Sequence, residues 1–187
     1  MKQIIYLLTI LLFSSCSQSN SGQKTTDVAD SISTSSTLKD QNKLTEDKES
    51  KEAFRKQSLN DFDNATQYKL TDTISADFNG DGIADKAFYK KENKTSGIVI
   101  KHGNTDEIVR IGFGIQFAHM TEFNWVDYWG LVEDKETRET TFTEDGDVLD
   151  SKVIKLQNPS IVLGKDEVGG GVITFRNGKY KWIHQTC

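Results

Sequence analysis

The chain has 187 residues, 35% hydrophobic and 27% charged, with 23 Lys and Arg against 28 Asp and Glu for a net charge of -5. That length allows one domain of ordinary size once processed or unstructured segments are set aside. The acidic balance disfavours nucleic acid as a partner, and two cysteines are too few for a fold built on disulfides.

Residues 1–15 read MKQIIYLLTILLFSS: a basic Lys2, an apolar run from Ile4 to Phe13, then small residues before Cys16. This is the pattern of a secretory signal peptide, and the run is too short to cross a bilayer as a helix. Small residues followed at once by Cys resemble the lipobox of bacterial lipoproteins, with Phe13 where Leu is usual. The resemblance implies cleavage before Cys16, lipidation of its sulfur and attachment to a membrane by acyl chains, each buried methylene contributing about 0.8 kcal/mol. Ser17 behind the Cys, with no acidic run after it, points to the outer membrane with the domain facing the periplasm; surface exposure is the alternative address. Lipidation of Cys16 leaves Cys187 without an intramolecular partner, so the domain is expected to rely on its core and a metal for stability.

Next comes SQSNSGQKTTDVADSISTSST, from Ser17 to Thr37, which has almost nothing to bury. Such a segment cannot offset the entropy of ordering and is expected to be a disordered tether. Lys39 to Arg55 is dense in both signs of charge, and Leu44, Ala53 and Phe54 are too few to form a helical stripe, so it reads as more spacer. The expected organisation is a signal peptide over 1–15, a lipid-anchored tether over 16–65 and one domain over 66–187. No repeat of 20 to 50 residues is present.

From about Gln67 onward, Val, Ile, Phe, Tyr, Trp and Thr cluster in short runs separated by Gly, Asn and Asp, and no segment sustains helical spacing. The expected class is all-β, a small antiparallel β-sandwich or curved sheet. Asn177-Gly178 predicts a two-residue hairpin in which Phe175 faces Tyr180 and Ile173 faces Trp182 on the core side. Asp145-Gly146 predicts a second hairpin, with Glu144 opposite Asp147. Gly169-Gly170-Gly171 lacks the helix and Lys-Ser/Thr of a phosphate loop and reads as a turn or bulge.

The densest motif is DFNGDGIAD, from Asp77 to Asp85. Carboxylates this close repel unless a cation lies among them, and alternate residues pointing inward suit the six to eight oxygen ligands of calcium. An EF-hand is excluded, because Phe88 stands where a bidentate Glu is needed and the flanks read as strands. D-x-N-x-D-G-x-x-D between strands resembles the calcium loop of FG-GAP and VCBS repeats. The resemblance spans about twenty residues and implies Asp77, Asn79, Asp81 and Asp85 as side-chain ligands and Ile83 as a carbonyl ligand. Propellers built of such repeats need several copies, and this chain has one, so a single loop on a small sandwich is expected.

Glu122 to Gly130, EFNWVDYWG, reads as an aromatic strand with Phe123, Trp125 and Trp129 on one face and Tyr128 on the other. One face is expected to fill the core, and Trp125, Tyr128 and Trp129 are the candidate platform for a sugar ring or a peptide. His102, His119 and His184 lie far apart and read as structural, and no catalytic constellation is visible, so no catalytic residue is assigned. The expectation is a lipid-anchored, calcium-binding envelope module that binds a protein or glycan without catalysis. The alternative is an envelope hydrolase or hydrolase inhibitor of the immunity-lipoprotein kind, acting through 122–130.

Overall fold

The short apolar runs do form strands. In the computed structural model, which describes residues 48–53, 55–56, 59 and 61–186, eleven strands follow one another with helical structure only before residue 60. The expected signal peptide, Cys16, Cys187 and most of the expected tether lie outside the described residues.

The chain is all-β, with every strand pairing antiparallel. The strands β1 (Ala65–Tyr68), β6 (Tyr128–Val132), β9 (Ser160–Lys165), β10 (Gly169–Arg176) and β11 (Lys179–Thr186) form a five-stranded sheet in the order β1-β6-β9-β10-β11. A second sheet takes β2 (Thr73–Ala76), β3 (Asp85–Glu92), β4 (Thr95–Lys101) and β5 (Ile108–Gly112) in sequence order. The remaining pair, β7 (Glu136–Phe142) and β8 (Val148–Lys155), leans on β11, where Gln185 Nε2 donates to Thr137 Oγ1 at 2.7 Å and the Thr140 and Thr186 hydroxyls meet at 3.1 Å.

Between the two sheets lies the main core. Ile74, Ala87, Ile98, Ile100 and Ile111 from the four-stranded sheet meet Trp129, Leu131, Ile161, Leu163 and Ile173 from the other, with Phe78 and Phe123 filling the ends. The five-stranded sheet is also covered on its outer face. There Val132, Val162, Val172 and Ile183 alternate with the core residues and pack under Leu59, Phe62 and Leu156. Burial on both faces explains why these strands read as continuous apolar runs such as SIVLG rather than as clean alternation.

Leu59 and Phe62 are buried in that outer cluster, and Asp63 and Asn64 donate their amides to the Asp134 carboxylate at 3.0 and 3.1 Å. Further upstream, Arg55 makes a two-pronged ion pair with Asp166, at 2.6 and 2.7 Å. The boundary expected at 65/66 therefore falls inside the packed unit. Apolar residues at 59 and 62, too sparse to form a stripe by themselves, find their partner in the back of a sheet.

The β10–β11 hairpin has the expected register, with Phe175 opposite Tyr180 and Ile173 opposite Trp182. Its turn places Asn177 at φ 53° and Gly178 at φ 76°, the positive pair that a two-residue turn of this hand demands. The second hairpin differs from expectation. Its loop runs over 143–147, where Gly146 N donates to Thr143 O and Thr143 N to Asp147 O, and Phe142 pairs with Val148 beyond a bulge. The longer loop takes Glu144 away from Asp147 and relieves the repulsion that direct pairing would impose. Gly169-Gly170-Gly171 is likewise strand and not turn: all three pair with both β9 and β11.

Candidate functional site

The acidic loop joins β2 to β3, and its local geometry follows from short side chains that reach back to their own backbone. Asp77 Oδ1 accepts the amides of Gly80 and Asp81 at 2.7 and 3.1 Å, and its Oδ2 accepts Gly82 at 2.8 Å. Asp81 Oδ1 accepts Ile83 N at 2.8 Å, while Asp81 Oδ2 receives Asn79 Nδ2 at 2.7 Å. Gly80 and Gly82 hold φ of 79° and 89°, which let the chain coil around these carboxylates.

Asp85 is different in kind. It is fully buried, accepts the Phe78 and Asn79 amides on Oδ2 at 3.0 and 3.3 Å, and takes the Gly103 amide on Oδ1 at 2.9 Å. Asp77, Asn79 and Asp81 are thus gathered on one loop, Ile83 stands half exposed beside them, and Asp85 closes the loop from inside. Among the described residues, no three His, Cys, Asp or Glu side chains converge as a ready metal cage. The loop balances its charge with amide hydrogens, yet it does not exhaust its oxygens. A carboxylate has about four acceptor positions, of which Asp77 and Asp85 each use three and Asp81 two. The donor set, all oxygen and mostly anionic, is therefore one that calcium would accept.

Next to the loop, Tyr180 Oη lies 3.1 Å from Nε2 of the buried His102, whose Nδ1 is 3.6 Å from Glu107. Burial raises the Tyr180 pKa, and the carboxylates of Asp85, Glu107, Asp77 and Asp81 push it further, so Tyr180 stays a neutral phenol. It packs, partly buried, against the main core.

At another place on the sandwich, an open cleft of 330 Å³ is lined by His119, Met120, Trp125, Trp182, His184 and the Gly169-Gly170 backbone among others. Trp125 and Trp182 meet edge to face with ring centroids 6.2 Å apart. The indole of Trp182 lies over Gly171, where any Cβ would come within 2.5 Å of the ring, so the missing side chain at 171 leaves room for this cleft-lining indole. Trp182 Nε1 is buried with no hydrogen-bond partner among the described residues.

The candidate platform is thereby redrawn. Only Trp125 of the three expected residues lines the cleft. Tyr128 and Trp129 are buried, the first against Gly164 and the second in the core with Nε1 donating to Lys69 O at 2.7 Å. Residues 122–127 precede β6 as a loop, so parity along a strand does not place their side chains. Trp182, expected on the core side opposite Ile173, does pack against the core, and its exposed part also lines the cleft. The alternation of β11 puts His184 on the same face, a signal available in the sequence.

His119 and His184 come together in this cleft with ring centroids 5.6 Å apart. Burial, then the nearness of His119, lowers the pKa of His184. His119 sits on a tight turn closed by Phe117 N to Met120 O at 2.7 Å and Met120 N to Phe117 O at 3.0 Å. Compared with family models, curated proteins and solved structures, the chain matches none.

Proposed function

We propose that the protein is a lipid-anchored envelope module that binds a glycan in the cleft between Trp125 and Trp182, without catalysis, on a domain braced by a calcium ion in the loop Asp77–Asp85. The observation that carries the binding reading is the cleft itself: two indoles at an open recess, rimmed by His119, His184, Gln185 and Lys165. A sugar ring has apolar faces and hydroxyls around its edge. It is therefore matched by a stacking surface with hydrogen-bonding groups at the margin. The same mixture suits a peptide less well, since a peptide backbone asks for a row of main-chain partners.

Asp77, Asn79, Asp81 and Asp85, with the Ile83 carbonyl, would hold the calcium, which would supply positive charge to a cluster that otherwise relies on amide hydrogens. The lipid anchor rests on Cys16 and its flanks.

The experiment is a fluorescence titration of the mature protein with glycan fragments released from a bacterial envelope. A saturable change in Trp emission is expected, and Trp182→Ala should abolish it. A flat titration of the wild type across all fragments would remove the glycan reading.

A further inference from the structure

We propose that His119 and His184 form a two-imidazole binding site for a transition-metal ion, with copper and zinc the best-suited occupants. This site is separate from the acidic loop and does not rest on the glycan reading.

The first argument is distance. With metal–nitrogen bonds of about 2.0–2.1 Å and a tetrahedral or somewhat wider angle at the ion, two coordinating imidazoles have ring centroids about 5 to 6 Å apart. The observed separation is 5.6 Å, with the rings tilted by 60°.

The second argument concerns what the rings lack. Among the described residues no group hydrogen-bonds a ring nitrogen of His119 or His184. His119 is exposed and His184 half-buried, so their ring nitrogens are open to solvent and to an incoming ion, whereas the buried His102 is engaged with Tyr180. Here both rings are held by aromatic edges. His184 stands T-shaped against Phe142 at 5.1 Å, and His119 stands T-shaped against Trp182 at 6.5 Å.

The third argument is backbone strain. His119 is presented by the 117–120 turn, and Ala118 at the first corner of that turn has φ 52°. That position ordinarily takes Gly, because a Cβ there is unfavourable. The turn persists because Phe117 and Met120 are packed against the core. The result is a fixed placement of His119 opposite His184.

Two imidazoles are borderline ligands that suit zinc, copper and nickel, and for divalent ions the order of affinity peaks at copper. Further donors stand nearby. Met120 lines the same cleft, and Glu139 lines the adjoining recess together with both histidines, although Glu139 also pairs with Lys152 at 2.8 Å. The cleft is open, so water completes the coordination.

The test uses the full chain without a polyhistidine tag, carrying Cys187→Ser to remove a competing thiol, in buffer with calcium to occupy the acidic loop. Calorimetric titration with Zn(II) and Cu(II) is expected to give one ion per chain. His119→Ala and His184→Ala should each weaken binding by more than about tenfold, while Asp81→Ala should leave it unchanged. His119 is exposed on a turn, so its replacement tests the site without endangering the fold. As a second readout on the wild type, substoichiometric Cu(II) should broaden the imidazole NMR signals of His119 and His184 together while sparing His102. Absence of saturable binding, full-strength binding in the His119→Ala/His184→Ala double variant, or broadening of only one of the two rings would each overturn the proposal. A failed glycan titration leaves these outcomes untouched.

Discussion

The buried carboxylate of Asp85 accepts the backbone amide of Gly103 at 2.9 Å and so ties the acidic loop to the connection between β4 and β5. With the Phe78 and Asn79 amides, three backbone donors depend on this one side chain. Asp85→Ala removes their acceptor in a place water does not reach. Hydrogen bonds to a charged group contribute about 1.5–3 kcal/mol, and orphaned buried donors add a penalty, so a loss of about 3 kcal/mol is expected. For a domain of this size that lowers the midpoint by about 12 °C. Thermal melts with chelator present check it; a midpoint within about 2 °C of wild type would refute the structural role.

Asp81 should behave in the opposite way. It is exposed and bonds only within the loop, so Asp81→Ala should cost little in chelator. Its effect should appear with calcium. Taking a dissociation constant of about 10⁻⁴ to 10⁻³ M, ~1 mM calcium stabilises the wild type by about 0.4 to 1.4 kcal/mol, or a few degrees. Asp81→Ala should lose that increment. A wild-type melt indifferent to calcium and chelator alike would falsify the metal loop and leave a self-capped acidic turn.

What the sequence showed and hid has a physical pattern. Asn177-Gly178 fixed its hairpin and register because turn chemistry and strand parity act over neighbouring residues. The equally tight β3–β4 turn carries no such local signal, because Asn93 and Lys94, at φ 48° and 67°, are not a glycine-bearing pair. The acidic loop was legible as a unit, but the inward role of Asp85 depends on Gly103, which only the fold brings near. The cleft was the least legible. Its indoles and imidazoles come from the 117–120 turn, the loop before β6 and strand β11, and no local spacing encodes that meeting.

Gly171 tests whether the cleft-lining indole depends on a missing side chain. A Cβ at this position would collide with the Ile183 carbonyl and come within 2.5 Å of the Trp182 ring. Gly171→Ala should therefore destabilise the fold by about 1–3 kcal/mol and shift Trp182 toward solvent. Denaturant melts and a red shift in Trp emission measure the two effects. Wild-type stability with unchanged emission would mean that the ring accommodates the methyl elsewhere.

The anchor proposed at Cys16 predicts a change of compartment. Cys16→Ala should leave the signal uncut or release the protein from membranes, because no helix among the described residues is long and apolar enough to cross one. Detergent phase partitioning with mass measurement of the mature N-terminus decides the matter. Unchanged partitioning of the variant would count against lipidation.

The N-terminal limit of the folded unit can be read by proteolysis, and the ion pair of Arg55 with Asp166 sets the expectation. Leu59 and Phe62 are buried, and the Asp134 carboxylate holds the amides of Asp63 and Asn64, so a broad-specificity protease should find no cut between 59 and 65 in the native protein. Among the described residues upstream of Leu59, Arg55 reaches back to the β domain through a pairing that is two-pronged but about a third exposed. Such a pair contributes about 1 kcal/mol or less after solvent screening. Arg55→Ala should therefore speed cleavage within 48–56 severalfold while leaving a β domain that still starts before Leu59. Because Asp166 also donates its amide to Asp127 Oδ2 at 3.1 Å, the acceptor side stays in place when the arginine is gone. A wild-type core that begins at residue 66, read by mass spectrometry of the protected fragment, would show that the packing of Leu59 and Phe62 is too weak to hold the segment.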